Sequence, residues 1–127
     1  MKIKNENGRE GFTIIELLIV VAIIGILATL MLLSYSHTLK KSRDAKRVSD
    51  IESVKLACNM YADKTGGYPK AYAWASLNSL LEDYIDVANI KDPKTFNYQY
   101  IYNESVGCKM SYYSEVEEDY KRVYCKD

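Results

Sequence analysis

The sequence predicts an α+β chain. A long N-terminal helix, membrane-spanning in its first half and amphipathic in its second, packs on a small antiparallel sheet of about three strands. Three observations carry that prediction. From Phe12 to Leu33 only Thr13, Glu16 and Thr29 are polar. From Ser34 to Lys64 there is neither Pro nor Gly, so nothing interrupts a helix. After Asp92-Pro93, three segments of strand-like composition alternate with turn residues.

The apolar run comes first. As a helix, residues 12–33 would span about 33 Å, against a hydrocarbon core of roughly 30 Å. A chain of 127 residues has too little other material to wrap such a helix on every side. A secretory signal peptide is the second reading, with Lys2, Lys4 and Arg9 as its basic region. Its apolar core would be shorter, and Ser34-Tyr35-Ser36 is a poor cleavage site. A retained membrane helix fits better. Glu16 is the only charge in the segment. In hydrocarbon it would cost on the order of a few kcal/mol. Either it stays wet at the membrane interface, or it needs a partner that arises on assembly.

The second half of the helix has one apolar stripe. Val48, Ile51, Cys58 and Ala62, flanked by Val54, Lys55 and Tyr61, recur near the spacing of one face. Lys41, Arg43, Asp44, Lys46, Arg47 and Asp50 lie mostly off it. The basic run Lys40 to Arg47 therefore reads as a solvated face. Contact with lipid headgroups or an acidic neighbour is the sharper alternative. Thr65-Gly66-Gly67 and Tyr68-Pro69 stop the helix. One helix over about residues 13–64 would be roughly 75–80 Å long.

Beyond it, Ala75 to Ile85 predicts a short helix with Leu77, Leu80, Leu81 and Tyr84 inward. Phe96 to Tyr102 alternates, with Phe96, Tyr98, Tyr100 and Tyr102 on one face and Ile101 on the other. Asn103-Glu104-Ser105 reads as a turn. Gly107 to Tyr113 and Tyr120 to Cys125 are the next strands, joined by the acidic loop Glu115 to Asp119. The chain has 12 Tyr, which stand in for scarce aliphatics on the strand faces. An aromatic binding surface is the alternative.

The stretch from Gly11 through Phe12-Thr13-Ile14-Ile15-Glu16 to Gly25-Ile26-Leu27-Ala28 closely resembles the N-terminus of type IV pilins and type II secretion pseudopilins. A short hydrophilic leader, a glycine, a phenylalanine, a glutamate four residues on and a long apolar helix follow in that order. The match covers about residues 8–33; beyond it the resemblance is one of layout, and the fold it implies is pilin-like. It implies cleavage between Gly11 and Phe12 by a prepilin peptidase, with N-methylation of Phe12 by the same enzyme. It implies that Glu16 pairs with the Phe12 amine of a neighbouring subunit, which would fix the axial stagger between neighbours. Opposite charge within a few ångströms offsets much of the cost of burying the acid. Two departures stand out. There is no proline late in the apolar run, and the leader is less basic than the stretch after the membrane segment, against a simple positive-inside count.

The resulting domain plan is a leader at 1–11, a transmembrane or filament-core helix at 12–33, an amphipathic stalk helix at 34–65 and a small globular head at 66–127. Loss of the leader would leave 116 residues. Three cysteines suit an extracytoplasmic chain with one disulfide, Cys108 with Cys125, joining the last two strands. Cys58, on the helix stripe, then remains a buried thiol; its pairing with either of the others is the rival.

The remaining signals are exclusions. With 17 basic and 17 acidic residues the net charge is zero, with no basic excess to hold a polyanion. Nucleic acid is therefore not an expected partner. No catalytic constellation, cofactor motif or metal-ligand spacing is present, and the lone His37 reads as an interfacial residue. Glu117-Glu118-Asp119 lacks the spaced pattern of a calcium loop and reads as solvated. The reading is a structural subunit, not an enzyme, of a type IV pilus or type II secretion pseudopilus. Its expected partners are further copies of itself in a filament, the prepilin peptidase, an inner-membrane platform protein, an assembly ATPase and, before assembly, membrane lipid. It would be a single-pass inner-membrane protein with its C-terminus outside the cytoplasm, and then part of a periplasmic or surface filament. The alternative is a minor pilin acting as a membrane-anchored binding module for DNA uptake, adhesion or a secretion substrate.

Overall fold

The computed structural model describes residues 11–126; the leader reading at residues 1–10 lies outside them. Helix α1 spans Ile14–Thr65 and α2 spans Trp74–Leu81, followed by a 3-10 turn at Val87–Asn89. Three strands follow: β1 at Gln99–Asn103, β2 at Gly107–Ser114 and β3 at Asp119–Tyr124. They form one antiparallel sheet in the order β1-β2-β3. The chain divides into two compact units, meeting between Ser36 and His37.

In the first unit α1 is apolar on every side, and its long side chains, Ile14 to Leu32, are exposed. It belongs to the one helix among the described residues that is long and apolar enough to cross a membrane.

In the second unit the last part of α1 and all of α2 cover one face of the sheet. The buried positions on α1 are Arg47, Ile51, Val54, Ala57 and Cys58. Arg47, Ile51, Val54 and Cys58 are spaced as one helical face. Val48, expected on that face, is exposed, because the stripe is rotated by one position. Leu77 and Leu81 of α2 are fully buried, each contributing roughly 1.5–3 kcal/mol. Tyr98, Tyr100 and Met110 meet them from the sheet side. The tyrosines enter this core with their hydroxyls satisfied. Tyr100 donates to the Pro69 carbonyl and Tyr98 to Asp50, each at 2.7 Å. Burial pushes both phenols upward from their ordinary range.

Element ends follow local chemistry. Helix α1 stops at Gly66, whose φ of +83° is easy only for glycine and whose N–H donates to the Ala62 carbonyl at 2.8 Å. Helix α2 is shorter than the expected 75–85. The N–H groups of Tyr84 and Ile85 both bond back to the Leu81 carbonyl, and Val87 then turns into the core. Strand β1 starts at Gln99, not Phe96, because β2 pairs with β1 only up to Ser111. Beyond that point β2 pairs with β3 alone and runs to Ser114, one residue past its expected end. A disulfide joins Cys108 to Cys125 with a Cα–Cα separation of 5.2 Å, tying β2 to the residue after β3.

Candidate functional site

Gly11, Phe12 and Thr13 precede α1 without regular structure. Nothing lies within 4 Å of where a Cβ on Gly11 would stand, and Phe12 is 82% exposed. The first turn of α1 is closed by its own side chains. The Thr13 backbone N–H donates to Glu16 Oε2 at 2.9 Å, and the Thr13 hydroxyl donates to the same oxygen at 2.8 Å. In return the Glu16 N–H donates to Thr13 Oγ1 at 3.3 Å. Thr13 is thus the N-cap and Glu16 the third helical residue of a capping box. The signature Thr-x-x-Glu was visible in the sequence, but reading Glu16 as a solitary charge passes over it. The three N-terminal candidates, Gly11, Phe12 and Glu16, therefore lie together at one helix start. The carboxylate there is paired with its own chain.

An exposed Phe12 beside a glycine, a capped glutamate four residues on, and an all-round apolar helix are the elements of one sequence motif. Residues 7–32 match the prokaryotic N-terminal methylation motif. The same stretch is similar to the N-termini of proteins named as type IV pilins and type II secretion core proteins.

The relatives that this chain matches carry names of that kind. It is 28% identical over 123 residues to the type IV major pilin protein PilE of Neisseria gonorrhoeae, covering 92% of this chain and 74% of that protein. It is 40% identical over 67 residues to fimbrial protein Q of Moraxella bovis, covering 51% of this chain and 43% of that protein. To the type II secretion system core protein G of Pectobacterium carotovorum it is 36% identical over 61 residues, covering 48% of this chain and 39% of that protein. The chain thus spans less than half the length of two of these relatives. No solved structure matches it.

The second unit holds a buried ionic cluster at the β2–β3 turn. Arg47 has no exposed surface. Its Nε and Nη2 donate to the two Asp92 oxygens at 2.6 and 3.0 Å. Its Nη1 donates to Asp44 at 2.7 Å, and Nη2 lies 2.9 Å from Glu115. Arg43 grips Glu115 through two parallel bonds of 2.8 and 2.7 Å. Asp44 also accepts from the N–H groups of Glu115 and Val116, each at 2.9 Å, and from the Ser114 hydroxyl at 2.8 Å. The expected solvated face over Lys40 to Arg47 is therefore corrected at Arg43, Asp44 and Arg47. These face inward because their partners lie 45 to 72 residues away in sequence. The Arg43 bonds hold the Glu115 carboxyl far below the usual carboxylate range, outweighing its burial, with Lys94 and Arg47 adding to the effect. Burial raises Asp44, but its accepted hydrogen bonds win and lower it.

The sulfurs of Cys58, Cys108 and Cys125 lie within 4.8 Å of one another, the one cluster of metal-ligand type among the described residues. Two of them are joined, and burial pushes the Cys58 thiol up to about 12, so it stays protonated. Glu117, Glu118 and Asp119 are exposed. A cleft of about 670 Å³ between α2 and the segment before β1 is lined by Trp74, Val87, Phe96 and Tyr98. Its one carboxylate, Asp92, is committed to Arg47.

Proposed function

We propose that this chain is a structural subunit of a type IV pilus or type II secretion pseudopilus. It would be cut between Gly11 and Phe12 by a prepilin peptidase, methylated at Phe12, and polymerised through its apolar helix. One observation carries the reading: a methylation-motif N-terminus leads into a helix whose apolar side chains are exposed all round. Such a surface is stable in lipid or against other copies of the same helix, and not in water. Glu16 would pair with the Phe12 amine of a neighbour inside the filament. The platform protein and assembly ATPase would drive the transfer from membrane to filament, with the C-terminal unit outside the cytoplasm. A membrane-anchored binding module has less support, since the relatives are named as fimbrial, major-pilin and core proteins.

The test is Gly11→Ala in the full chain, co-expressed with a prepilin peptidase. A side chain at that position hinders the extended backbone that a narrow peptidase cleft needs. The variant is expected to stay at precursor mass, while the wild type loses its first eleven residues and gains one methyl group. Processing of both chains to the same mature mass would defeat the cleavage reading.

A further inference from the structure

The sheet has one face on the core and one in solvent. Alternation along the strands turns Tyr100, Met110 and Val123 inward and their neighbours outward. The outward residues form cross-strand rows. Ile101, Lys109 and Tyr124 make one row, and Tyr113 faces Tyr120 in another, with Arg122 on β3 between them. Ile101, Tyr120 and Tyr124 are all more than two-fifths exposed. No acidic residue lies in these rows. Neither Lys109 nor Arg122 makes an ion pair among the described residues. On β3, Arg122 stands between Tyr120 and Tyr124 on the same face, and the register adds Lys109 from β2 beside Tyr124. The rings are also ordered in advance. Tyr113 stacks on Phe96 at 4.3 Å and meets Tyr120 edge-on at 5.4 Å, so docking would freeze little side-chain motion.

The complementary surface is on the same unit. Past the end of α2, Glu82, Asp83 and Asp86 are exposed and make no ion pair among the described residues. Helix α2 packs against β1, whereas Lys109, Arg122 and the tyrosines belong to β2 and β3. The basic aromatic patch and the acidic turn are thus different parts of one surface. A contact between two different patches is heterologous, and repeated without closing it generates a helical filament.

We propose that the outer sheet face of one copy docks the acidic turn after α2 of a second copy, as a lateral contact between C-terminal units. This rests on the filament reading. Charge complementarity selects the occupant: the face carries two cations and the turn three carboxylates that form no ion pair among the described residues. A nucleic acid would ask for more, since the chain as a whole has zero net charge.

The experiment uses the full chain in cells that assemble it, with sheared filament measured against the membrane pool. Lys109→Glu with Arg122→Glu should lower the assembled fraction by about tenfold, as losing two or more surface pairs gives. Glu82→Lys with Asp83→Lys should do the same. The chain carrying all four changes should recover most of the loss. The proposal is overturned if either pair assembles like wild type, or if the four-charge swap is no better than the pairs. Neutral Lys109→Gln with Arg122→Gln, expected to lose less than the reversal, replaces any pair whose thermal unfolding shows a damaged unit. If the reversed face leaves assembly intact but loses binding of a single-stranded oligonucleotide, the face serves a polyanion and the proposal falls. Absence of filaments from wild type itself would instead sink the filament reading.

Discussion

Arg47 shows how much can rest on one side chain. It is fully buried, lies 5.6 Å from the Phe96 ring, and neutralises carboxylates from three separate stretches of chain. Arg47→Ala would leave Asp44, Asp92 and Glu115 facing one another with only Arg43 and Lys94 nearby. The expected loss is about 3–5 kcal/mol, the cost of stranding buried charge, read as a lower urea midpoint. The same cluster sets the response to acid. Glu115 and Asp44 titrate below their ordinary values of 4.5 and 3.8 when folded. As pH falls, the unfolded chain therefore takes up protons first. Their stabilisation is whole above about pH 5 and drains as pH drops through 4 towards the folded values. Unfolding midpoints flat between pH 7 and pH 3 would contradict this. The inward turn of Arg47 had a sequence signal, its regular spacing with Ile51, Val54 and Cys58. What hid it is that a charge on an apolar stripe is costly until its partners are known, and Asp92 is 45 residues away.

At the scale of elements, the sheet is held by a short covalent link. Cys108 and Cys125 are 17 apart in sequence, so their bond restricts a modest loop of the unfolded chain. Replacing both by serine should cost about 3 kcal/mol on the loop-entropy account, measured by thermal unfolding under non-reducing conditions. An unchanged midpoint would mean that β3 is secured by its pairing alone. Existence and type of the two helices and three strands were legible in sequence, from the glycine stop, the alternation of Tyr98, Tyr100 and Tyr102, and the turn between β2 and β3, whereas the 3-10 turn at Val87–Asn89 was not. The ends of α1 fell within one residue of expectation, but the end of α2, the start of β1 and the end of β2 were not legible. The end of β2 is decided by Ser114 and Glu115 reaching Asp44 on another element, and the start of β1 by where β2 leaves it. Both are tertiary effects that local propensity does not carry.

For the whole molecule, function was most legible where it is most local. Gly11, Phe12 and Glu16 fall within six consecutive residues, so no folding is needed to see them together. The docking face was illegible for the opposite reason, since Lys109, Arg122 and Tyr124 become neighbours only through strand register. On the proposed reading, Glu16→Ala should be processed normally yet enter filaments poorly when mixed with wild type. Equal incorporation, scored by mass spectrometry of sheared filaments, would remove Glu16 from assembly.

The pairing of Thr13 with Glu16 then bears on timing. On the proposed reading a subunit waiting in lipid would not carry a naked acid, because its own first turn occupies the carboxylate. Recruitment by a neighbour would then have to displace bonds that already exist, so the waiting state would be a latched one. On that reading subunits would accumulate in the bilayer without pairing at random, and the step that opens the latch would belong to the growing end.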